Sequence, residues 1–451
     1  MMSVGMTLIV LILAGYLIKK KYDIKWIMFG SGILLMIVAI ILRLPLLPDG
    51  SSTTIAFFDI FKVISHQFTT QLTGASFILM LLFGYTSYMK QIGANQMTVD
   101  VMSKALSRLK YKELLLPLFY LIGNVLGLII PSASSLSVLL MATAYPILVS
   151  AGVSPLGVAA VISMSAMIAP TPLGADNILA AQALDMTITE YVFNYHAKIS
   201  LPIIFILAIV HYAWQRYLDK KEGVHPVNLE IVLKEEVNVN CPKLYAILPM
   251  LPLILMMIFN FFLKKDQVGM VEVTLCSFLI SIICEMIRLK SPKQGLQSIQ
   301  VFFNGMGTGF TTVVIQVVAA LTFVEGLKII GVIDLLTDSI NQLTGAGIIL
   351  TIFFCLLALG VGLLSGSGLA LFYACVELMP SFAASAGMNS MLLAIPMQFV
   401  SHLVKCISPV APTVIIISSM MNVSPLTLIK RTIVPAIIGM LLSIVLPYLV
   451  F

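Results

Sequence analysis

The chain alternates long apolar runs with short polar or basic stretches, and many runs approach the roughly 20 residues that cross a bilayer as a helix. Such runs recur far more often than a single anchor requires. Uninterrupted spans are predicted near 3–18, 24–46, 70–89, 198–216, 244–263, 269–288, 307–328 and 432–450. Two further spans, near 155–187 and 391–422, are predicted to be broken by prolines and polar residues. The pattern predicts an all-α polytopic membrane protein.

Two other apolar segments are too long for one span and carry small polar residues at their centres. The first, 114–152, contains the sequence PSASS, and the second, 347–387, contains SGSG. Each segment is predicted to be a re-entrant helical hairpin that enters and leaves the membrane on one face. Their tips are expected near 132–135 and 365–368, and the two hairpins are expected to enter from opposite faces.

The two halves of the chain are related in sequence. The stretch 134–152 resembles 367–387, Pro170 and Pro409 lie 239 positions apart, and Gly93 and Gly331 lie 238 apart. Five crossings in each half would place the second half upside down in the membrane. We therefore predict a first inverted repeat at 1–217, a cytoplasmic linker at 218–243 and a second inverted repeat at 244–451, an arrangement typical of secondary transporters.

Composition excludes a soluble globular protein, because only 10% of the residues are charged, 59% are hydrophobic and the mean hydropathy is +1.05. The net charge of +6 is interpreted as marking cytoplasmic loops rather than nucleic-acid binding. With the basic clusters inside and ten crossings, both termini fall outside. The first run is predicted to be a retained span, because its lysines follow it.

Motifs of enzymes and metal sites are absent from the sequence. Six cysteines are scattered without CxxC spacing, so neither a disulfide framework nor a zinc site is predicted. GxSxG, GxxxxGK[ST] and HExxH are also missing, which disfavours hydrolytic chemistry and an ATP-driven pump. The chain is predicted not to be an enzyme, and no cofactor is expected.

Four chain breaks are predicted at Ser132–Ser135, Pro170–Ala175, Ser365–Gly368 and Cys406–Pro412. Non-helical backbone at membrane depth must be buried or line a wet cavity, so the breaks are expected to meet near the midplane. Each break starts a helix, and helix N-termini attract anions. The predicted substrate-binding residues are Ser132, Ser134, Ser135, Thr171, Asp176, Asn177, Ser365, Gly366, Ser367, Gly368, Lys405, Ser408, Pro409 and Thr413.

Two alternatives stay open at the breaks. Each serine, taken singly, suits a helix cap that satisfies only its own helix. Carbonyl oxygens freed at the same breaks could instead hold a sodium ion, and a candidate cation site lies near Ser134, Pro170, Ser367 and Pro412.

Lys405 is the only charged side chain between Glu377 and Lys430, and its counterpart in the first half, near Ala166, is neutral. One fixed cation in a pseudosymmetric pocket would bind one carboxylate and leave the other to helix dipoles and hydroxyls. That asymmetry suits a short dianion. The alternative is a lysine that extends to the membrane interface.

Asp176 is the only charged residue from Leu114 to Leu184. It could pair with Lys405, carry a proton or bind a cation, and an N-cap role for the following helix is compatible with each. His402 lies on the same helix face as Lys405 and could tune that lysine or serve in packing.

Several motifs resemble those of the DcuC family of anaerobic C4-dicarboxylate carriers, and the resemblance runs from about Gly84 to Pro435. They are YMKQIGANQM (88–97), SVLLMATAYP (137–146), LAAQALDMT (179–187), AWQRYLDKKE (213–222), YAILP (245–249), SGSGLALFYACVELMP (365–380) and ISPVAPTVII (407–416). The resemblance implies a bacterial inner-membrane carrier of succinate, fumarate and related acids. In an inner membrane, the two termini that the ten crossings place outside would be periplasmic. In that family a basic residue, commonly arginine, precedes the SP motif, and here Lys405 fills that place.

More distantly, the sequence resembles the ion-transporter superfamily, which includes divalent-anion sodium symporters. This likeness implies two inverted hairpins, an elevator motion and a homodimer. The hairpin tips lack the serine-asparagine-threonine triplets of those symporters, which puts sodium coupling in doubt and leaves H⁺ or Na⁺ as the coupling ion.

The sequence therefore predicts a secondary active transporter of C4-dicarboxylates (succinate, fumarate, malate) that works by exchange or ion-coupled cotransport. Its expected partners are the small diacid and the lipid bilayer. Two alternatives are a carrier of another organic or amino acid on the same fold, and an ion channel or structural membrane subunit. The matched hairpins disfavour a channel, because a channel does not need two oppositely facing half-entrances.

Overall fold

The computed structural model describes residues 2–20, 22–48, 51–107, 112–223, 241–262, 268–341 and 346–451, and these segments form helices without strands. The prediction of an all-α fold is confirmed. In the first half the helices are α1 Met2–Lys19, α2 Ile24–Ile41, α3 Ala56–Thr73, α4 Ala75–Gln91, α5 Ala94–Ser107, α6 Lys112–Ile129, α7 Ala133–Ser150, α8 Pro155–Met164, α9 Ala175–Ala183 and α10 Ala197–Glu222. A π-helical turn, Glu190–His196, leads into α10.

The second half begins with a 3₁₀ turn, Lys243–Met250. Its helices are α11 Leu251–Phe262, α12 Met270–Leu289, α13 Pro292–Gln297, α14 Ile299–Gly309, α15 Ile315–Ile329, α16 Val332–Asn341, α17 Ala346–Ser365, α18 Leu369–Cys375, α19 Met379–Ser385, α20 Met391–Leu403, α21 Pro412–Met420 and α22 Pro425–Val450. A π-helical turn, Phe310–Val314, joins α14 to α15, and 3₁₀ turns occupy Val376–Leu378 and Val404–Cys406.

Seven described helical segments are long and apolar enough to cross a membrane, or eight if α3 and α4, which meet at a 55° bend, form one span. The chain is thus a multi-pass membrane protein. The predicted span 70–89 begins at this bend, where Gly74 separates the two helices. The ten predicted crossings stay a prediction, because several of them are divided into shorter apolar helices.

All four predicted breaks interrupt helices in the structure. The first hairpin breaks between Ile129 and Ala133, and the second between Ser365 and Leu369. Residues 165–174 separate α8 from α9, and residues 407–411 separate the turn after α20 from α21. The first break lies slightly earlier than predicted, so that Ser134 and Ser135 belong to the first turn of α7.

Each half contains a close helix crossing at a glycine. A Cβ on Gly123 would collide with Ser165, and a Cβ on Gly362 would collide with Val404. Both partners in the second crossing lie 239 positions after their counterparts in the first, which is the spacing of Pro170 and Pro409. This shared packing detail suits the predicted repeats, whose opposite orientation stays a prediction.

The end of α10 is joined to the start of α22 by buried polar contacts. Gln215 Nε2 donates to the Arg431 carbonyl (2.8 Å), and the buried Arg431 guanidinium pairs with Asp219 (2.5 Å). At the opposite ends the rings of Tyr195 and Phe451 lie 5.3 Å apart, so the helices run antiparallel. The basic clusters at 216–223 and 430–431 therefore lie at the same end of this helix pair, and their cytoplasmic placement stays a prediction. Residues 218–222 of the predicted linker belong to α10, and 224–240 lie outside the described residues.

Candidate functional site

The four breaks surround one cavity of about 320 Å³. It is bounded by the first hairpin tip, the start of α9, the second hairpin tip, and the break that precedes α21. Seven predicted binding residues line it: Ser132, Ser134, Asp176, Gly366, Ser367, Lys405 and Thr413. The structure thus brings together residues that are up to 281 positions apart in the sequence.

Helix α4, helix α15 and the π-helical turn before α15 supply the opposite wall of the cavity, which the sequence analysis did not identify. It consists of Leu79, Leu82, Phe83 and Thr86 on α4, Val313 in the π-helical turn, and Gln316 on α15. With its amide turned to accept from Ala370 N (3.1 Å), Gln316 contacts the second hairpin. Thr86 and Gln316 are polar residues within apolar runs. Their polarity was the one feature of the sequence that could have indicated this wall.

A chain of polar contacts connects the two charged residues of the cavity. His402 Nε2 lies 2.8 Å from Asp176 Oδ2, and Lys405 Nζ lies 3.4 Å from His402 Nδ1. An ammonium can only donate, so Nδ1 accepts and the imidazole proton resides on Nε2, which donates to Asp176. His402 therefore stands between Lys405 and Asp176, in place of the direct ion pair considered as one role for Asp176. Asp176 lies in the first turn of α9, whose N-cap is Gly174.

Gln398, which is fully buried, holds Asp176 from the other side. Its Nε2 donates to Asp176 Oδ2 (2.5 Å) and to Asn177 Oδ1 (2.7 Å), and its Oε1 accepts from Tyr191 OH (2.5 Å). Three partners fix the orientation of the amide. Tyr191 belongs to the π-helical turn before α10, a local distortion that often occurs at functional sites. The sequence analysis did not identify Tyr191, because nothing in its surroundings distinguishes it from a packing residue.

Thr171 and Asn177 support the break before α9 rather than line the cavity. Asn177 Nδ2 donates to the Thr171 carbonyl (2.8 Å), and Thr171 Oγ1 donates to the Leu128 carbonyl (2.6 Å) on the first hairpin. The broken span is therefore fastened to the hairpin at a point close to Asp176.

The serines of the first tip have mixed roles. Ser132 is the N-cap of α7 and accepts from Ser135 N (3.4 Å), so the capping alternative applies to it although it also lines the cavity. Ser134 Oγ lies 3.5 Å from Thr413 Oγ1 at the start of α21. This contact joins the two halves of the chain inside the cavity.

In the second tip, the single O–H of Ser365 is shared between the Val361 carbonyl (2.8 Å) and the Ser367 carbonyl (3.0 Å). Ser367 Oγ accepts from Leu369 N (3.3 Å) and faces the cavity. Ser365 therefore stabilises the turn itself, and Ser367 is the serine of this tip that is open to a ligand.

The second tip packs tightly against the break that follows α20. Gly366 has φ +82°, and a Cβ there would lie 2.8 Å from the Val410 carbonyl oxygen. Gly368 is equally close to Ser401, and Ser408 Oγ donates to the Leu363 carbonyl (2.9 Å). Gly368 and Ser408 thus hold the tip in place outside the cavity lining, and Pro409 is exposed beyond it.

The arrangement is suited to an anion with two charged ends. The N-termini of α7, α9 and α21 border the cavity, and the first N–H groups of a helix have no acceptor within the helix, while Lys405 supplies a full positive charge. No cluster of three or more His, Cys, Asp or Glu side chains able to hold a metal ion occurs among the described residues. The candidate cation site near Ser134, Pro170, Ser367 and Pro412 would depend on hydroxyl and carbonyl oxygens, and it stays a prediction.

The sequence matches the family described as DcuC, C4-dicarboxylate anaerobic carrier, over residues 2–451. It is 35% identical over 435 residues to the anaerobic C4-dicarboxylate transporter DcuC of Escherichia coli K12. The aligned region covers 96% of this chain and 93% of that protein. The probable anaerobic C4-dicarboxylate transporter DcuC of Vibrio cholerae is 34% identical over 448 residues, covering 99% and 97%. The relatives are named as transporters and not as enzymes, in agreement with the sequence analysis.

The fold is similar to two solved structures. The YdaH transporter of Alcanivorax borkumensis superposes with a TM-score of 0.67 at 13% identity, covering 94% of this chain and 97% of that one. MtrF of Neisseria gonorrhoeae gives a TM-score of 0.57 at 13% identity, covering 93% of each chain. At this identity the likeness concerns the fold alone.

Proposed function

Because the chain belongs to the DcuC family of anaerobic C4-dicarboxylate carriers, we propose that it is a secondary active transporter of succinate, fumarate and malate. The single observation that supports these substrates best is the place of Lys405. Its ammonium lies on the wall of a cavity bordered by three helix N-termini, so one carboxylate can pair with the lysine and the other with backbone N–H groups.

The proposed transport cycle is exchange or ion-coupled cotransport, with H⁺ or Na⁺ as the coupling ion, by an elevator-type motion. In support, the charged residues of the cavity lie on α9 and the α20–α21 segment, whereas α4 and α15 contribute mainly apolar residues. A moving domain that contains α9 and the α20–α21 segment could slide along such an apolar wall without breaking ion pairs. A homodimer in the bacterial inner membrane with both termini periplasmic completes the proposal.

Uptake of labelled succinate into liposomes that contain only this protein tests the proposal. We expect uptake when the liposomes hold fumarate, or when an inward ion gradient is imposed, and little uptake into empty liposomes without a gradient. Unlabelled succinate, fumarate and malate should compete, while monocarboxylates and neutral amino acids should not. Failure of every C4-diacid to be transported, in liposomes that do transport another organic or amino acid, would refute the proposed substrates.

A further inference from the structure

The contact between Lys405 and His402 has a strict chemical requirement. The Lys405 ammonium has only donors, so it can lie 3.4 Å from His402 Nδ1 only while that nitrogen carries no proton. The other nitrogen, Nε2, donates to Asp176. The contact with Lys405 and a doubly protonated His402 therefore exclude each other.

A bound carboxylate would remove this conflict. Placed between the two side chains, it could accept from Lys405 Nζ and also from a protonated His402 Nδ1, with both bonds charge-assisted. Both residues line the cavity, and the His402 side chain is 12% exposed, so a ligand in the cavity can reach them.

We propose that His402 binds the coupling proton, and that a dicarboxylate brings the proton in by drawing the Lys405 ammonium away from His402 Nδ1. This inference rests on the proposed function. In the substrate-free site the three side chains Lys405, His402 and Asp176 sum to zero charge. With substrate, one proton from solution resides on Nδ1, Nε2 still donates to Asp176, and the proton leaves with the diacid on the other side of the membrane.

The surroundings of His402 contain a single carboxylate, Asp176, among the described residues. A second buried histidine, His196, lies nearby, but its Nδ1 is 3.2 Å from Ser200 Oγ and its ring packs at 4.6 Å on Phe399, away from the cavity lining. The titratable and charged groups around His402 are Lys405 on its own segment, Asp176 on α9, Tyr191 and His196 in the π-helical turn, and Tyr373 on α18. The cavity residues of α4 and α15 carry no charge.

Calorimetric titration of the purified full chain with succinate, in buffers of different ionisation enthalpy, counts the protons bound with the ligand. For the wild-type protein we expect one proton per succinate, and a Kd that rises by about tenfold per pH unit over the range of uptake. His402→Gln retains an N–H that can donate to Asp176 but cannot take a second proton. We expect this variant to bind succinate with no proton uptake and with a Kd independent of pH.

His66→Gln, at an exposed histidine of α3, is the matched control and should keep the wild-type proton count. The inference would be overturned if the wild-type protein bound succinate without taking up a proton. It would also be overturned if proton uptake persisted in His402→Gln, or if it were lost in His196→Gln instead. Thermal unfolding of each variant checks that it is folded. The number of protons bound per succinate by the wild-type protein tests the inference even if a variant does not fold. If the wild-type protein binds no C4-diacid at all, the proposed function itself fails, which is a different result.

Discussion

Among the residues that the structure describes, Lys405 has one polar side-chain contact, the 3.4 Å approach to His402, and it also faces the cavity. A side chain held so loosely can turn toward a ligand at little cost. The sequence pointed to Lys405 and Asp176 because an isolated charge in an apolar run is expensive and requires a reason.

Replacing Lys405 tests its contact with the substrate. Lys405→Ala removes a charge-assisted contact of roughly 1.5–3 kcal/mol, so succinate affinity should fall by about tenfold to more than a hundredfold. Lys405→Arg keeps the charge and should retain measurable transport, with a shift in the preferred diacid because the guanidinium is a planar fork. Succinate binding is measured alongside thermal stability, and Lys328→Ala, at a half-exposed lysine, serves as control. Normal succinate binding by Lys405→Ala would contradict the substrate role.

Asp176 should affect coupling more than binding, because its carboxylate faces His402 and Gln398 rather than a substrate anion. Asp176→Asn is expected to keep succinate/fumarate exchange in liposomes and to lose accumulation driven by an ion gradient. Asp185→Asn, just after the same helix, should behave as the wild type. Loss of succinate binding in Asp176→Asn would instead assign Asp176 a part in shaping the binding site, and unchanged accumulation would exclude it from coupling.

His402, which contacts both charges, was considered in the sequence, but the hydrogen bonds behind it could not be predicted with the same success. Gln398 and Tyr191 are 207 positions apart, and each is compatible with simple packing until the fold brings them within 2.5 Å. The predicted residues Thr171, Asn177 and Ser408 do lie near the site, but their side chains form hydrogen bonds with backbone carbonyls that stabilise the helix breaks. Sequence indicates which segments converge, whereas the direction of each side chain depends on three-dimensional packing.

At the level of the elements, the second hairpin tip depends on the close approach of Gly366 to the backbone of residues 410–411. Gly366→Ala adds a methyl group 2.8 Å from the Val410 carbonyl oxygen and also forces an unfavourable φ, which alone costs roughly 1–2 kcal/mol. We expect succinate affinity and thermal stability both to fall. Gly387→Ala is the matched control, because Gly387 also has a positive φ (+62°) but nothing within 4 Å of the added Cβ. Equal losses in both variants would show that strain, and not the packed tip, is responsible.

The breaks were predictable because proline, glycine and serine mark them, whereas three distortions of the helices were not. The π-helical turn at Phe310–Val314 lies inside the predicted span 307–328, and the one at Glu190–His196 falls between two predicted spans, where no helical distortion was predicted. The bend at Gly74 lies within a run that is apolar enough to be taken as part of one span. Distortions of this kind follow from packing against neighbouring helices, which hydropathy does not record.

For the molecule as a whole, the opposite orientation of the two hairpins is the main prediction still to be tested. In a background without the six native cysteines, Ser134→Cys should react with an impermeant thiol reagent from the cytoplasm, and Ser367→Cys from the periplasm. Both positions line the cavity, so succinate should protect both. Lys220→Cys, on the exposed end of α10, reports cytoplasmic access. Labelling of both serine positions from one face only would contradict the inverted arrangement.

The division of the cavity into a charged side and an apolar side has a consequence for how such carriers diversify. Substitutions among Leu79, Leu82, Phe83 and Val313 change the shape of the apolar cavity wall without altering a charged residue of the cavity. Substitutions around Lys405 alter recognition and leave that surface intact. Under the proposed elevator motion, transport speed and substrate selectivity would be encoded on separate helices, and each could change during evolution without compromising the other.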